Sequence, residues 1–298
     1  MEPLPQGWTL SAFTDEAGAS IEAQIEAARR AGLNCIDLRS ADGFNVSVLP
    51  LERARQIRAK LDDAGLGVQI FGSPLGKTDI TDDFAPELSK LRHLGELAPI
   101  LGCRAVRLFS YYNAGGAPHS EWQDVALDRL AQLKEEAHSL ELVLFHENER
   151  HIFGDLGRDV ATLAELRDEN FRLIFDFDNC TQSGEDVWAT WQTLRDATDA
   201  FHLKDSTTQN QHVPAGQGQG QIERILRDAL SHGWRGPLSI EPHLSHSGAV
   251  LATGPSGVAN ETFASMPPAQ SFHVAAEAAW EILARLQSVH PHPVQPGE

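Results

Sequence analysis

Leu142-Val-Leu-Phe-His-Glu147, followed by Asn148 and Glu149, is an apolar run that ends on an acid. It reads as a buried strand. The same design returns at Leu173-Ile-Phe-Asp176, at Phe201-His202 and at Leu238-Ser-Ile-Glu241. Side chains alternate along a strand, so each run divides into two sets. Val143, Phe145 and Glu147 share one face; Leu142, Leu144 and His146 share the other. Asp176 goes with Ile174, His202 with Lys204, and Glu241 with Ser239. In three of the four runs the set opposite the acid or imidazole is wholly apolar, as suits a face packed on helices. The candidate ligands then share the other face. His146 is the exception: it points outward and is expected to be a hydrogen-bonded structural histidine.

Working outward, eight strand-like runs alternate with helix-like runs. The strands are expected at Trp8–Phe13, Asn34–Arg39, Gly67–Gly72, Ala105–Phe109, Leu142–Glu147, Arg172–Asp176, Ala200–Leu203 and Leu238–Glu241. Helices between them end on glycine, as at Gly32, Gly65 and Gly102. Without hairpin signals this pattern implies parallel strands joined by crossover helices. Eight is the number that closes a (β/α)8 TIM barrel. An open doubly wound sheet is the alternative, but an acidic Thr14-Asp-Glu-Ala-Gly18 follows the first strand where a phosphate loop would stand. Gly216-Gln-Gly-Gln-Gly220 comes after the seventh strand and lacks the dinucleotide spacing. Residues 1–288 are expected to form one barrel domain and 289–298 a disordered tail. Pro242–Gln270, rich in Gly, Ser and Pro, is expected as a lid, a substrate loop or a plain surface loop.

The chain has 298 residues, 41% of them hydrophobic, enough for a sizeable core. Its 24 basic and 42 acidic residues give a net charge of −18, which repels nucleic acid and anionic membranes. The expected partner is a small molecule, neutral or an anion held locally by arginine and lysine. Cys35, Cys103 and Cys180 form no CxxC pair and read as small buried hydrophobes, with Cys180 alternatively a zinc ligand. No signal peptide or membrane-spanning run is apparent, so a soluble cytoplasmic protein is expected.

Barrel active sites lie at the C-terminal rim, and Glu147, Asp176, His202 and Glu241 all fall there. Three carboxylates and an imidazole suit one divalent metal ion, with Mn²⁺ or Mg²⁺ favoured and Co²⁺ or Zn²⁺ as alternatives. The same alternation turns Asp37, Arg39, Gln69 and Arg107 inward, opposite Ile36, Leu38, Ile70 and Leu108. Buried charges need partners. Either Asp37 pairs with Arg107, or Arg39 or Arg107 reaches the substrate or neutralises the carboxylate cluster.

These stretches together resemble the xylose isomerase-like TIM barrel superfamily of sugar isomerases and epimerases. The resemblance is carried by Ile36-Asp-Leu-Arg-Ser40, Gly72-Ser-Pro-Leu-Gly-Lys77, Arg107-Leu-Phe-Ser110, Glu147-Asn-Glu149 with Gly154-Asp155, Asp176-Phe-Asp-Asn179, His202-Leu-Lys-Asp205, Gly216-Gln-Gly218 and Ser239-Ile-Glu-Pro-His243. It implies that Glu147, Asp176, His202 and Glu241 hold one divalent metal, and that Glu147 and Glu241 exchange a proton with the carbon beside a substrate carbonyl. Asn179 stands where ketose 3-epimerases commonly have histidine, and His202-Leu-Lys-Asp205 replaces their His-x-Gly-Glu. The pattern is more similar to the sugar phosphate isomerase/epimerase-like branch, some of whose members look like lyases.

The implied chemistry is isomerisation or epimerisation of a sugar or keto-sugar through a metal-stabilised enediolate. Arg107, Lys77, Asn179, Lys204 and His243 are the expected substrate contacts. Lys204 polarises a hydroxyl or holds Asp205, and His243 touches substrate or supports Glu241. A keto-sugar lyase or dehydratase, with His243 or His151 as acid, is the main alternative. An apurinic-endonuclease-like phosphodiesterase and a non-catalytic sugar-binding protein are further ones. Homo-oligomers are frequent in the superfamily.

Overall fold

The computed structural model describes residues 3–245, 247–252 and 258–287. Its main sheet has strands β1 (Trp8–Ala12), β2 (Cys35–Leu38), β3 (Gly67–Leu75), β4 (Ala105–Leu108), β5 (Val143–Glu147), β6 (Phe171–Asp176), β7 (Thr198–Leu203) and β8 (Gly236–Ile240). They are parallel and hydrogen-bonded in the order β1-β8-β7-β6-β5-β4-β3-β2. The two ends lie side by side, and Ser11 Oγ of β1 donates to Asp37 of β2 at 2.7 Å across that seam. The sheet therefore wraps into the (β/α)8 barrel expected, with every expected strand present and the ends moved by a few residues.

Local chemistry sets the helices. Ser20 opens Ile21–Arg30 by accepting from Ala23 N at 3.2 Å. Leu51–Ala64 and Ala85–Leu101 close on Gly65 and Gly102, whose φ values of 70° and 67° are the left-handed caps expected. Leu91, Leu94, Leu97 and Leu101 form the buried stripe of the latter helix, and each such side chain contributes roughly 1.5–3 kcal/mol on burial. The large core lies between strands and helices. Inside the barrel there is a smaller one of Ile70, Ile174 and Ala200, with Ala105 and Phe145 against it.

Two bulges decide which side chains face inward. Pairing steps from Ile36 opposite Val68 to Asp37 opposite Ile70, leaving Gln69 as an extra residue. Ile70, expected on the outer face, is thereby carried into the barrel. Likewise Leu173 faces Thr198 and Ile174 faces Ala200, with Asp199 the extra residue. The expected Asp37–Arg107 pair does not form. Asp37 accepts from Ser11, which in turn accepts from Gln69 Nε2 at 2.6 Å. Arg107 serves the rim instead.

Pro242–Gln270, expected as a lid, a substrate loop or a plain surface loop, contains two short helices, Gly248–Ala252 and Glu261–Ala264, before the final helix Pro268–Gln287. The expected tail at 289–298 lies outside the described residues. Among the described residues no helix is long and apolar enough to cross a membrane.

Candidate functional site

Strands β5 to β8 deliver one side chain each to a single point on the C-terminal rim. Glu147 and Asp176 end their strands, His202 stands one residue before the end of β7, and Glu241 follows β8. Register enforces the convergence, because Asp176 and Ser239 are the cross-strand partners of His202. One ligand atom from each of Glu147, Asp176, His202 and Glu241 lies within 4.8 Å of the others. None of the four residues is more than 2% exposed.

The donor atoms are poorly matched to one another and well matched to a cation. His202 Nδ1 stands 3.0 Å from both Glu147 Oε1 and Glu241 Oε2. Yet among the described residues both His202 nitrogens, Glu241 Oε2 and Asp176 Oδ2 lack a hydrogen-bond partner of acceptable geometry. Buried polar atoms are rarely left so. Burial lowers the basicity of His202, but Glu147 and Glu241 overcome it and hold the ring up to about 10. Burial raises Glu147, and the charges of His202 and Arg107 more than offset this, bringing it to about 2. Glu241 is held well below the usual carboxylate range against its burial, chiefly by Arg107 and His202. Three carboxylates thus draw a positive charge to their centre, and the residues present can hold a divalent ion there.

Asp176 shows how the local fold aims a ligand. Its Oδ1 caps the helix Phe177–Gln182 by accepting from Asn179 N at 2.7 Å. That leaves Oδ2 toward the site, 3.1 Å from Lys204 Nζ. Burial pushes the Asp176 carboxyl well up against the pull of Lys204. Asn148 straps β5 to β6, accepting from Asp176 N at 2.8 Å and donating to Asp176 O at 3.1 Å. Asn179 Nδ2 donates to Asn148 O at 2.7 Å and reaches Glu147 Oε1 at 3.5 Å.

Two arginines cover the glutamates. Arg107 Nη1 donates to Glu147 Oε2 at 3.1 Å and to Glu241 Oε1 at 3.0 Å. Arg39 Nη1 donates to the same Glu241 Oε1 at 3.0 Å, while its Nε and Nη2 grip Asp15 at 2.9 and 2.8 Å. Of the alternatives open in the sequence, neutralising the carboxylate cluster is the one this geometry realises. The His243 ring lies 3.6 Å from Glu241 Oε1 and 3.7 Å from Glu16 Oε1. Its backbone takes a φ of 52°, and its N–H donates to Glu16 Oε2 at 2.8 Å. Burial raises Glu16 to about 8 against the pull of Arg39. Lys77 pairs with Glu149 at 2.8 Å on the rim.

Several expectations need correcting. Lys204 does not hold Asp205. Backbone N–H groups of Gly216, Gly218 and Gly220 donate to the Asp205 carboxylate at 2.9, 2.9 and 2.8 Å, so the glycine-rich loop binds an internal anion. His146 is buried and outward-facing as expected, but neither ring nitrogen finds a hydrogen bond among the described residues, and burial drives it to about 3. Cys180 accepts from Asn148 Nδ2 at 3.3 Å and stands outside the four-ligand group. His151 is exposed. The sequence reading missed Asp15, Glu16 and Asn148 as parts of the site. Asp15 and Glu16 follow β1 at the same rim position as the four ligands, which was the available signal.

The profile of xylose isomerase-like TIM barrels matches residues 25–264. Among solved structures, a D-tagatose 3-epimerase-like protein is 14% identical with a TM-score of 0.72, covering 94% of this chain and 98% of its own. A xylose isomerase-like TIM barrel protein from Mycobacterium smegmatis in complex with magnesium is 17% identical with a TM-score of 0.68, covering 94% and 97%. The probable 3-DHS dehydratase AsbF from Bacillus anthracis is 18% identical with a TM-score of 0.65, covering 84% and 97%. At these identities the likeness is one of fold. No curated protein matches in sequence.

Proposed function

The chain belongs to the xylose isomerase-like TIM barrel family, and from that premise we propose a divalent-metal-dependent isomerase or epimerase of a sugar or keto-sugar. The observation that carries it is the convergence of Glu147, Asp176, His202 and Glu241, with buried donor atoms that lack hydrogen-bond partners. The oxygen-rich donor set favours Mn²⁺ or Mg²⁺. When bound, such an ion polarises a substrate carbonyl and acidifies the adjacent carbon.

The residues supply the rest. Glu147 takes the proton from that carbon and Glu241 returns one, each also serving as a ligand. Their second oxygens are fixed by Arg107, which orients both carboxylates and keeps them ionised. Carboxylates held this far down are weak bases, so proton removal depends on an acidified carbon. Lys204, 3.1 Å from Asp176 Oδ2, hydrogen-bonds a substrate hydroxyl, with Asn179 and His243 flanking the glutamates. Arg107 and Lys77 meet the substrate from the neighbouring cavity.

The test is incubation of the Mn²⁺-loaded protein with candidate keto-sugars in D₂O, joined to elemental analysis. Deuterium entering beside the carbonyl, with wild-type metal content and loss of metal in Glu241→Gln, is the expected result. No exchange across a broad panel, or metal content indifferent to changes at all four positions, sinks the proposal.

One observation favours elimination as a second reading. Both arginines hold Glu241 Oε1, which disfavours Glu241 as proton donor to carbon, and elimination needs a single base. The dehydratase among the neighbours fits this reading. His243 is the histidine positioned to pass a proton to a leaving group. Burial holds its ring down to about 3, and Glu16 Oε1 lies 3.7 Å from its Nε2. Loss of water or cleavage in the product, against conserved mass, separates the two reactions.

A further inference from the structure

A cavity of about 730 Å³ opens beside the four ligands, and Asp15, Arg39, Gly72, Lys77, Arg107 and Phe109 are among its lining residues. The two arginines belong both to this cavity and to the ligand cluster. A substrate group entering from the cavity therefore meets guanidinium groups before it meets Glu241.

The two guanidiniums are not equally occupied. The side-on edge of Arg39, formed by Nε and Nη2, is filled by both oxygens of Asp15 at 2.9 and 2.8 Å. Among the described residues the same edge of Arg107 has no such partner. Its Nη2 reaches Gly72 O at 3.4 Å, and its Nε has no acceptor although the residue is only 3% exposed. A buried donor without an acceptor costs about 1–3 kcal/mol, and a guanidinium edge is a pair of parallel donors matched to two oxygens in one plane. The Arg107 guanidinium also lies over the rings of Phe13 and Phe109, with Cζ 4.8 and 5.1 Å from their centroids. Apolar ring faces tolerate a planar group lying in the plane of the guanidinium. The additional oxygens of a tetrahedral phosphate would be set against them.

We infer that the substrate carries a carboxylate, and that Arg107 receives it side-on, as Arg39 receives Asp15. The inference rests on the proposed chemistry of the same site and narrows its substrate to keto-sugar acids. Arg107 thereby fixes the substrate end opposite the reacting carbon while holding the carboxylate planes of Glu147 and Glu241. Lys77 lies over the Phe109 ring, with Nζ 4.4 Å from its centroid, and is held there by Glu149 at 2.8 Å.

The test is calorimetric titration of the Mn²⁺-loaded protein with matched ligands: D-fructose, 2-keto-D-gluconate, D-fructuronate, and the 1- and 6-phosphates of fructose. The expected result is that at least one acid binds roughly ten- to a hundredfold more tightly than D-fructose, the gain that hydrogen bonds to a charged group supply. That preference should vanish in Arg107→Lys, which keeps a charge but loses the fork. Metal content is measured on both proteins, so loss of the ion is seen directly. The wild-type ratio decides even if the variant does not fold. Acids binding no better than D-fructose, none of the compounds binding, or a phosphate binding more tightly than either acid overturns the carboxylate. Metal content and deuterium exchange report separately on the proposed reaction, so a protein that exchanges neutral ketoses without preferring acids loses this inference alone.

Discussion

Asp176 divides its two oxygens between a helix cap and the candidate metal centre, and each of the two glutamates divides its own between the centre and Arg107. Removing one negative charge should therefore be felt in both places. Glu147→Gln and Glu241→Gln are each expected to lower deuterium exchange by roughly 10²–10⁴-fold, with the far-UV circular dichroism spectrum unchanged. Asp37 offers a test independent of activity. Burial raises its carboxyl to about 6 despite the Ser11 and Ser239 hydroxyls. A raised acid favours folding when protonated, so that contribution is full below pH about 4 and is lost as pH climbs through about 6. The loss is on the order of 3 kcal/mol. Urea melts across that window should fall less steeply for Asp37→Asn than for the parent chain. At this scale much was legible. Parity alone selected Glu147 over His146, because the outer face of β5 must be apolar. The clasp of Arg107 on Glu147 and Glu241 was not, since it joins residues 40 and 134 positions apart.

Bulges and loops carry what sequence periodicity omits. An extra residue in a strand leaves no mark in an apolar pattern, which is why Ile70 turned inward against expectation, whereas Ala200 and His202 face inward as their spacing implies. Strand and helix order was legible because each strand is a short apolar run and several helices stop at a left-handed glycine. The loop after β7 was not legible, because a glycine-rich run reads as an anion site without saying whose anion. Here it is Asp205. Gly218 is required there by close approach, since a Cβ would collide with the Asp205 carboxylate and the Ser206 carbonyl. Gly218→Ala is expected to cost about 1–3 kcal/mol, read as a lower urea midpoint with an unchanged slope. An unaltered midpoint would show that the loop relaxes freely.

On the scale of the whole barrel, a bound ion would tie four neighbouring strands at one end. Ligand binding to the folded state alone stabilises it by about 2.7 kcal/mol at a hundredfold excess over Kd. Adding Mn²⁺ to the chelator-treated protein should raise its stability by that order. Lysine replacement of His202 should abolish the gain. Equal melting with and without Mn²⁺, at concentrations that load the protein, would contradict the proposed centre.

The order of the strands has a further consequence. The four ligands come from β5 to β8, spanning residues 147–241, whereas Asp15, Arg39, Lys77 and Arg107 come from the loops and strands before them. Most of the cavity lining is thus written in the first half of the chain and the four candidate ligands in the second, with Ser247, Gly248 and Pro268 of the cavity and the proposed substrate contact Lys204 also in the second. Drift or recombination upstream of residue 143 can change which molecule is admitted while the ion-holding text is copied intact. Arg107, which belongs to the first and clasps the second, is the word on which the two must agree.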